Sequence, residues 1–248
     1  MLTQEELARI EKQYGLYLGR RPAGTAAVHG SALAVPDSLA AFISIHQEAL
    51  QAPRAAVAAS LFTKSYARAL CGLLDLWYVH RLAPLPQLNA LEVISNGLGG
   101  IMLHADPSML TAVNHETKGV TGNHVFRQIA SDHLQPVLES IHKHYHLKLS
   151  LLWENAYIYL ANHYKLWATE AASEQKKTRI RDDWEFIRTS EFPLDLPGKL
   201  QDHPLHPGTT FRVRSSCCQK HLLPAGISCT VCPLVTEEER AKILSRKG

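Results

Sequence analysis

Long apolar runs are missing from this 248-residue chain. The most apolar stretch, Ala52 to Trp77, is interrupted by Arg54, Lys64, Arg68 and Asp75, so no membrane-spanning segment is expected. A basic stripe is missing too. The chain has 26 basic residues against 23 acidic ones, and a net charge of +3 does not call for nucleic acid. There is no glycine fingerprint of a dinucleotide-binding turn and no P-loop, so neither a nicotinamide nor ATP is implied. No helix-turn-helix with a basic face stands out, which weighs against a transcriptional role. Internal repeats and low-complexity tracts are absent. The first residues, Met-Leu-Thr-Gln-Glu-Glu, carry two acids and no basic segment leading into an apolar core, unlike a secretory leader. A cytoplasmic protein is expected, and a peripheral contact with the inner membrane is compatible with that composition.

A chain of this length buries enough apolar surface to fold without metal or disulfide staples. Thr3 and Glu6 form a capping box, and the pattern behind them predicts a helix through Leu18. Residues 19–35 read as loop with a short strand. Pro36-Asp37-Ser38 opens a second helix to about Leu50. A third follows Pro53 and runs to His80 or Arg81, before Pro84 and Pro86. Its middle is apolar nearly all round, which places it at the centre of the core. Residues 88–106 change to a period of two around Asn96-Gly97 and Gly99-Gly100, the mark of a β-hairpin or small sheet.

Helical periodicity returns from Asn123 to about His144 and from about Leu149 to Glu174, with a short helix over 181–189. Residues 191–210 hold four prolines and two glycines and read as a linker or surface loop. A short strand over 211–214 leads into the cysteines, and a helix from Thr236 closes the chain. The expectation is a helix-rich α+β fold in three parts. These are a body over 1–190, a proline-rich connection over 191–210 and a cysteine module over 211–248.

Four of the five cysteines lie in that module, as Cys217-Cys218, ten residues, Cys229, two residues, Cys232. In a reducing compartment such a cluster reads as a metal site rather than a disulfide framework. Four thiolates suit structural zinc or an iron–sulfur cluster. Zinc sites with four cysteines usually come as two short knuckles, and here only Cys229-x2-Cys232 has that form. Adjacent side chains in extended backbone point to opposite faces. A two-iron centre therefore has more room for Cys217 and Cys218 than a single ion has. The fifth, Cys71, lies in the apolar helix and reads as an inert buried thiol.

The C-C-x10-C-x2-C-Pro ending, with Arg212, Arg214, Ser215 and Ser216 before it, resembles the C-terminal motif of the FhuF-type ferric siderophore reductases. So does the order of the chain: a helical body, a tryptophan-x-asparagine element at Trp153 and Asn155, then the cysteines. Relatives commonly carry glycine after the tryptophan, where this chain has Glu154.

The resemblance implies a [2Fe–2S] cluster held by Cys217, Cys218, Cys229 and Cys232. It implies one-electron reduction of siderophore-bound Fe(III) in the cytoplasm, with a hydroxamate or citrate–hydroxamate chelate as substrate. Electrons would come from a separate donor such as a ferredoxin or reductase. Hard oxygen ligands hold Fe(III) far better than Fe(II), so one electron releases the iron. All-cysteine ligation gives the low potential that a tight ferric chelate demands. No covalent catalysis is called for.

Arg212 and Arg214, two apart on a strand, are candidates for drawing in an anionic chelate or for tuning the cluster's potential by their charge, against a solvated strand edge, and Lys220 and His221 could do the same. Asn155 is a candidate for the chelate pocket, against a buried helix position for both it and Trp153. His142, His144 and His146 sit at i, i+2 spacing, diverge on a helix, and read as a solvated helix end. The other reading of these histidines is a proton-supplying rim. Against the reductase stand two alternatives. One is a binding protein with a zinc-stapled tail, and the other is an iron or redox sensor.

Overall fold

The computed structural model describes residues 2–24, 26–84, 91–112, 121–190, 192, 194, 198–206, 208–226 and 228–245. Pro86, residues 88–90 and 246–248, and several positions of 191–210 that entered the expectations fall outside them.

The chain adopts a helix-rich α+β fold. Helix α1 spans Gln4–Tyr14 and begins with the capping box, in which Thr3 and Glu6 bond reciprocally. It ends earlier than its pattern predicts. Gly15 takes a left-handed conformation at φ 74° and donates its N–H to Glu11, which stops the helix. The apolar residues beyond it form a strand instead, β1 (Leu16–Leu18). Strands β2 (Ala26–His29), β3 (Leu82–Pro84), β4 (Glu92–Ser95), β5 (Ile101–Ala105) and β6 (Leu110–Ala112) follow in order.

One sheet has the order β1-β5-β4-β2, with β1 parallel to β5 and the other pairs antiparallel. The β4–β5 hairpin turns at Asn96–Gly100, where the alternating pattern places it. Asn96 Oδ1 accepts the backbone N–H groups of Leu98 and Gly100 there. Strands β3 and β6 form a second, two-stranded sheet.

Helices α2 (Pro36–Leu50) and α3 (Ala55–His80) match their predicted limits. Helix α3 is buried on nearly every face, as its sequence demands, and α1 and α2 pack around it. Gly72 lets β1 approach closely, since a Cβ there would lie 3.0 Å from Leu16 and Tyr14. Asp75, fully buried on α3, accepts from Tyr14 Oη at 2.8 Å, Trp167 Nε1 at 2.8 Å and Arg9 Nη2 at 2.5 Å. A lone buried carboxylate would be costly, and these donors offset that cost.

The predicted helix from Asn123 is α4 (Gly122–Ile129), a π-helical turn (Ala130–Leu134) and α5 (Gln135–Tyr145). Pro136 has no N–H for the preceding turn and its ring crowds that turn, so the helix widens in front of it. Helix α6 (Leu149–Glu170) lies against α3, and the two form the spine of the core. The apolar spacing predicts α6 through Glu174, with a short helix over 181–189 after it. Instead Ala171 is extended and Ser173 caps a full helix, α7 (Glu174–Arg188), by accepting from Lys176 N–H. The proline-rich connection is not all loop. Lys199–Asp202 forms β7 and pairs with β8 (Thr210–Val213). Helix α8 (Glu237–Ser245) ends the described chain. Among the described residues no helix is long and apolar enough to cross a membrane.

His46 on α2 is fully buried, and neither ring nitrogen has a hydrogen-bond partner among the described residues. Burial pushes its pKa down to about 4. In the unfolded chain a histidine takes up its proton near pH 6.5. The folded pKa is therefore depressed. The stability tied to a neutral His46 is full above about pH 6.5 and is lost as the pH falls from there towards 4, by up to about 3 kcal/mol. His46→Leu should flatten the decline of the urea midpoint between pH 6.5 and 4 relative to wild type.

Candidate metal centre

The four clustered cysteines sit on two loops joined side by side. The first follows β8: Arg214 leaves the strand and donates its backbone N–H to Val231 O on the second loop, at 3.0 Å. The second closes as a tight turn, with Cys232 N–H donating to Cys229 O at 3.0 Å. Gln219 adopts a left-handed conformation at φ 64° and turns the first loop back after the cysteine pair. Its N–H points at Cys217 Sγ, 3.3 Å away.

The adjacent cysteines diverge. Cys217 Sγ lies 3.9 Å from Cys232 Sγ, whereas Cys218 and Cys229 act chiefly on each other's acidity. All four are free thiols, and the two pairs are close enough for each to feel the other's charge. Cys218 and Cys232 are buried, while Cys217 and Cys229 are partly covered. Cys71 is fully buried in α3, well apart in role, and burial pushes its thiol up.

The body supplies the walls of the site. Glu154 on α6, 3% exposed, accepts Ser215 N–H at 2.6 Å and Ser216 N–H at 2.9 Å, and the Ser215 hydroxyl at 3.0 Å. Arg214 Nε lies 3.6 Å from the same carboxylate. Arg214 Nη2 donates to Asn155 Oδ1 at 2.6 Å, and Asn155 Nδ2 donates in turn to Ser60 O on α3 at 2.9 Å. The Ser60 hydroxyl donates to Cys218 O at 3.1 Å. One chain of hydrogen bonds thus runs from α3 through α6 into the loop that bears Cys217 and Cys218.

Arg240 on α8, 2% exposed, holds the second loop. It donates to Cys232 O at 3.1 Å, to Val235 O at 3.0 Å and to Thr230 O. The terminal helix is therefore a strut for the Cys229–Cys232 turn.

These contacts set the electrostatics. The hydrogen bond from Cys229, the charge of Lys64 and the Lys220 N–H draw the Cys218 thiol down to about 4, against the effect of burial. Cys229 is pushed up because it gives that hydrogen bond and is itself buried. Burial raises Cys217 to about 11. His221 Nδ1 lies 3.5 Å from Cys217 Sγ, while Lys220 is exposed.

The other expected site residues part company. Arg212 is exposed and donates to Gly198 O at 3.1 Å, but Arg214 turns inward because β8 ends at Val213. Asn155 is fully buried and serves the loop rather than a cavity. Trp153 is core, against Phe192. The histidines do not converge. His142 Nδ1 lies 2.7 Å from Leu147 O, His146 is the left-handed cap of α5, and His133 is buried 3.2 Å from Tyr66 Oη.

A groove of about 320 Å³ opens between α6 and the β7–β8 hairpin. Tyr157, Lys165, Phe211, Arg212, Arg214 and Val231 contribute to its lining, and Val231 directly precedes Cys232. Glu154, Ser60, Lys64 and Arg240 all escape a reading of the sequence by motif. Only Glu154 carries a signal there, as the residue that stands where the resembled family has glycine.

The chain matches no family model and no curated protein in sequence searches.

Glu154→Ala strands two backbone N–H groups and leaves the buried Arg214 without its counter-charge. It should lower the unfolding free energy by about 3–5 kcal/mol. Glu154→Gln, which keeps one carbonyl acceptor, should cost less. Urea denaturation of both variants measures the difference.

Proposed function

We propose that the chain is a ferric siderophore reductase, an oxidoreductase that passes one electron from a bound [2Fe–2S] cluster to chelated Fe(III) and releases the iron as Fe(II). The observation that carries this reading is the pairing of the sulfurs. Two thiolates on one tetrahedral metal, each about 2.3 Å from it, lie about 3.8 Å apart. The Cys217–Cys232 separation of 3.9 Å fits that distance. The acidity of Cys218 is governed instead chiefly by Cys229. Two pairs from two adjacent residues suit two metals, and a [2Fe–2S] cluster takes two terminal thiolates on each iron.

The cluster, when bound, supplies a one-electron couple at low potential. The chain's own residues do the rest. Cys217, Cys218, Cys229 and Cys232 hold it, and Glu154 and Arg240 fix the loops that carry them. The groove beside Val231 gives a chelate a place to dock within reach of the Cys232 side. Arg212 and Lys165 there favour a chelate with net negative charge, and Tyr157 and Phe211 offer it apolar contact. The hydroxamate and citrate–hydroxamate classes suit this reading. One electron enters from a separate carrier such as a ferredoxin or reductase, and one leaves to the ferric substrate. Reduced iron then dissociates because its hard oxygen ligands bind Fe(II) weakly. A cytoplasmic location, with contact at the inner-membrane surface where chelates arrive, is part of the same proposal.

Protein purified without oxygen should be red-brown, with about two irons and two sulfides per chain. After dithionite reduction and removal of excess reductant, a ferric hydroxamate chelate should reoxidise it and yield one Fe(II) per electron. A colourless, folded protein with stoichiometric zinc after iron-replete anaerobic expression would overturn the reading in favour of a zinc-stapled binding protein.

A further inference from the structure

Lys64 is a cation in an unusual place. It projects from the N-terminal half of α3, the most deeply buried helix, and is itself partly buried. It has no carboxylate partner among the described residues. Its Nζ lies 3.6 Å from Cys218 Sγ, and its charge also bears on Cys229. The other buried cations about the loops are committed elsewhere. Arg214 is set against Glu154 and Asn155, and Arg240 is spent on three carbonyls. An ammonium placed in apolar surroundings is costly unless an opposite charge meets it. The sulfur it faces belongs to the inner pair, Cys218 and Cys229. Ser60, one turn earlier on the same face of α3, already holds the Cys218 carbonyl.

We propose that Lys64 sets the reduction potential of the metal centre by placing a positive charge beside the Cys218–Cys229 pair. This inference rests on the [2Fe–2S] reading above. A centre with four thiolates carries a net charge of −2 when oxidised and −3 when reduced, the added electron coming from a one-electron donor. A nearby positive charge stabilises the second form more than the first and raises the potential. Lys64 acts through the cysteine sulfurs and does not touch the ferric substrate. Its charge also makes the centre asymmetric: the inner pair lies against the ammonium, while the outer pair, Cys217 and Cys232, lies against Gln219 N–H and His221. A cluster held there would take its added electron preferentially on the side of Cys218 and Cys229.

The test is an equilibrium redox titration of anaerobically prepared wild type, Lys64→Met, Lys64→Gln and Lys64→Arg, followed by visible absorbance and EPR. At a fixed solution potential, the reduced-to-oxidised ratio should fall about tenfold in Lys64→Met and Lys64→Gln, equivalent to 59 mV for one electron. It should stay within about twofold of wild type in Lys64→Arg. Unchanged ratios in variants that keep the wild-type spectrum and iron and sulfide content overturn the inference and leave the reductase reading intact. Absence of any cluster from the wild type overturns the reductase reading instead. Should both neutral variants lose the cluster, pulsed EPR on reduced wild type labelled with 15N only at the lysine side-chain nitrogen, which leaves the Lys220 amide beside Cys218 silent, decides the matter. A 15N coupling places the ammonium at the cluster, and its absence overturns the inference.

Discussion

The contact on which the rest of the site depends is a single buried carboxylate. Glu154 stands on α6 with almost no exposure and accepts two consecutive backbone N–H groups from the loop that carries Cys217 and Cys218. Consecutive N–H groups converge on one anion only if the backbone between them bends, so the carboxylate also dictates the shape of the loop. Arg214 neutralises the charge and passes the connection on to Asn155 and Ser60. In a low-dielectric interior the loss of any one member of such a network is costly, even though Arg214 Nε and Nη1 make no hydrogen bond among the described residues. That makes it a rigid way to fix a loop with little apolar surface of its own.

The helix pair α3–α6 thus has two jobs. Along most of its length it is an apolar spine. At the end near the cysteines it carries a short polar strip: Ser60 and Lys64 on one helix, Glu154 and Asn155 on the other. The strip gives the loops hydrogen-bond partners and sets the charge of Lys64 beside Cys218. From the other side, Arg240 gathers the carbonyls of the Cys229–Cys232 turn. The cysteine module is consequently a layer on the body, and Cys218 packs with the core cluster. Helix α8 folds back against the second loop to brace it.

Much of the architecture is legible in the sequence. The all-round apolar pattern of α3, the capping box at Thr3, and the Asn-Gly turn between β4 and β5 each follow from local chemistry. The misreadings have local causes as well. The apolar spacing of Leu16–Leu18 continues the α1 pattern, yet the left-handed Gly15 ends the helix and the sheet claims those residues. The α6 pattern runs smoothly into α7, and only the cap at Ser173 marks the break. Arg212 and Arg214 were expected to share a face. They separate because β8 ends between them, and a strand's end depends on its partner.

By itself, the sequence determined the helix-rich α+β class, the central helix and the clustering of four thiols, because periodicity, caps and spacing act between near neighbours. Which sulfur meets which, and what charge stands beside them, only the tertiary structure decided. Ser60 and Lys64 lie more than 150 residues from Cys218 in the chain, and Glu154 about 60 from the loop it holds. No periodicity or motif links positions so far apart. They meet because α3 and α6 bury their apolar faces together and leave these polar groups at the one edge where the cysteine loops come to rest.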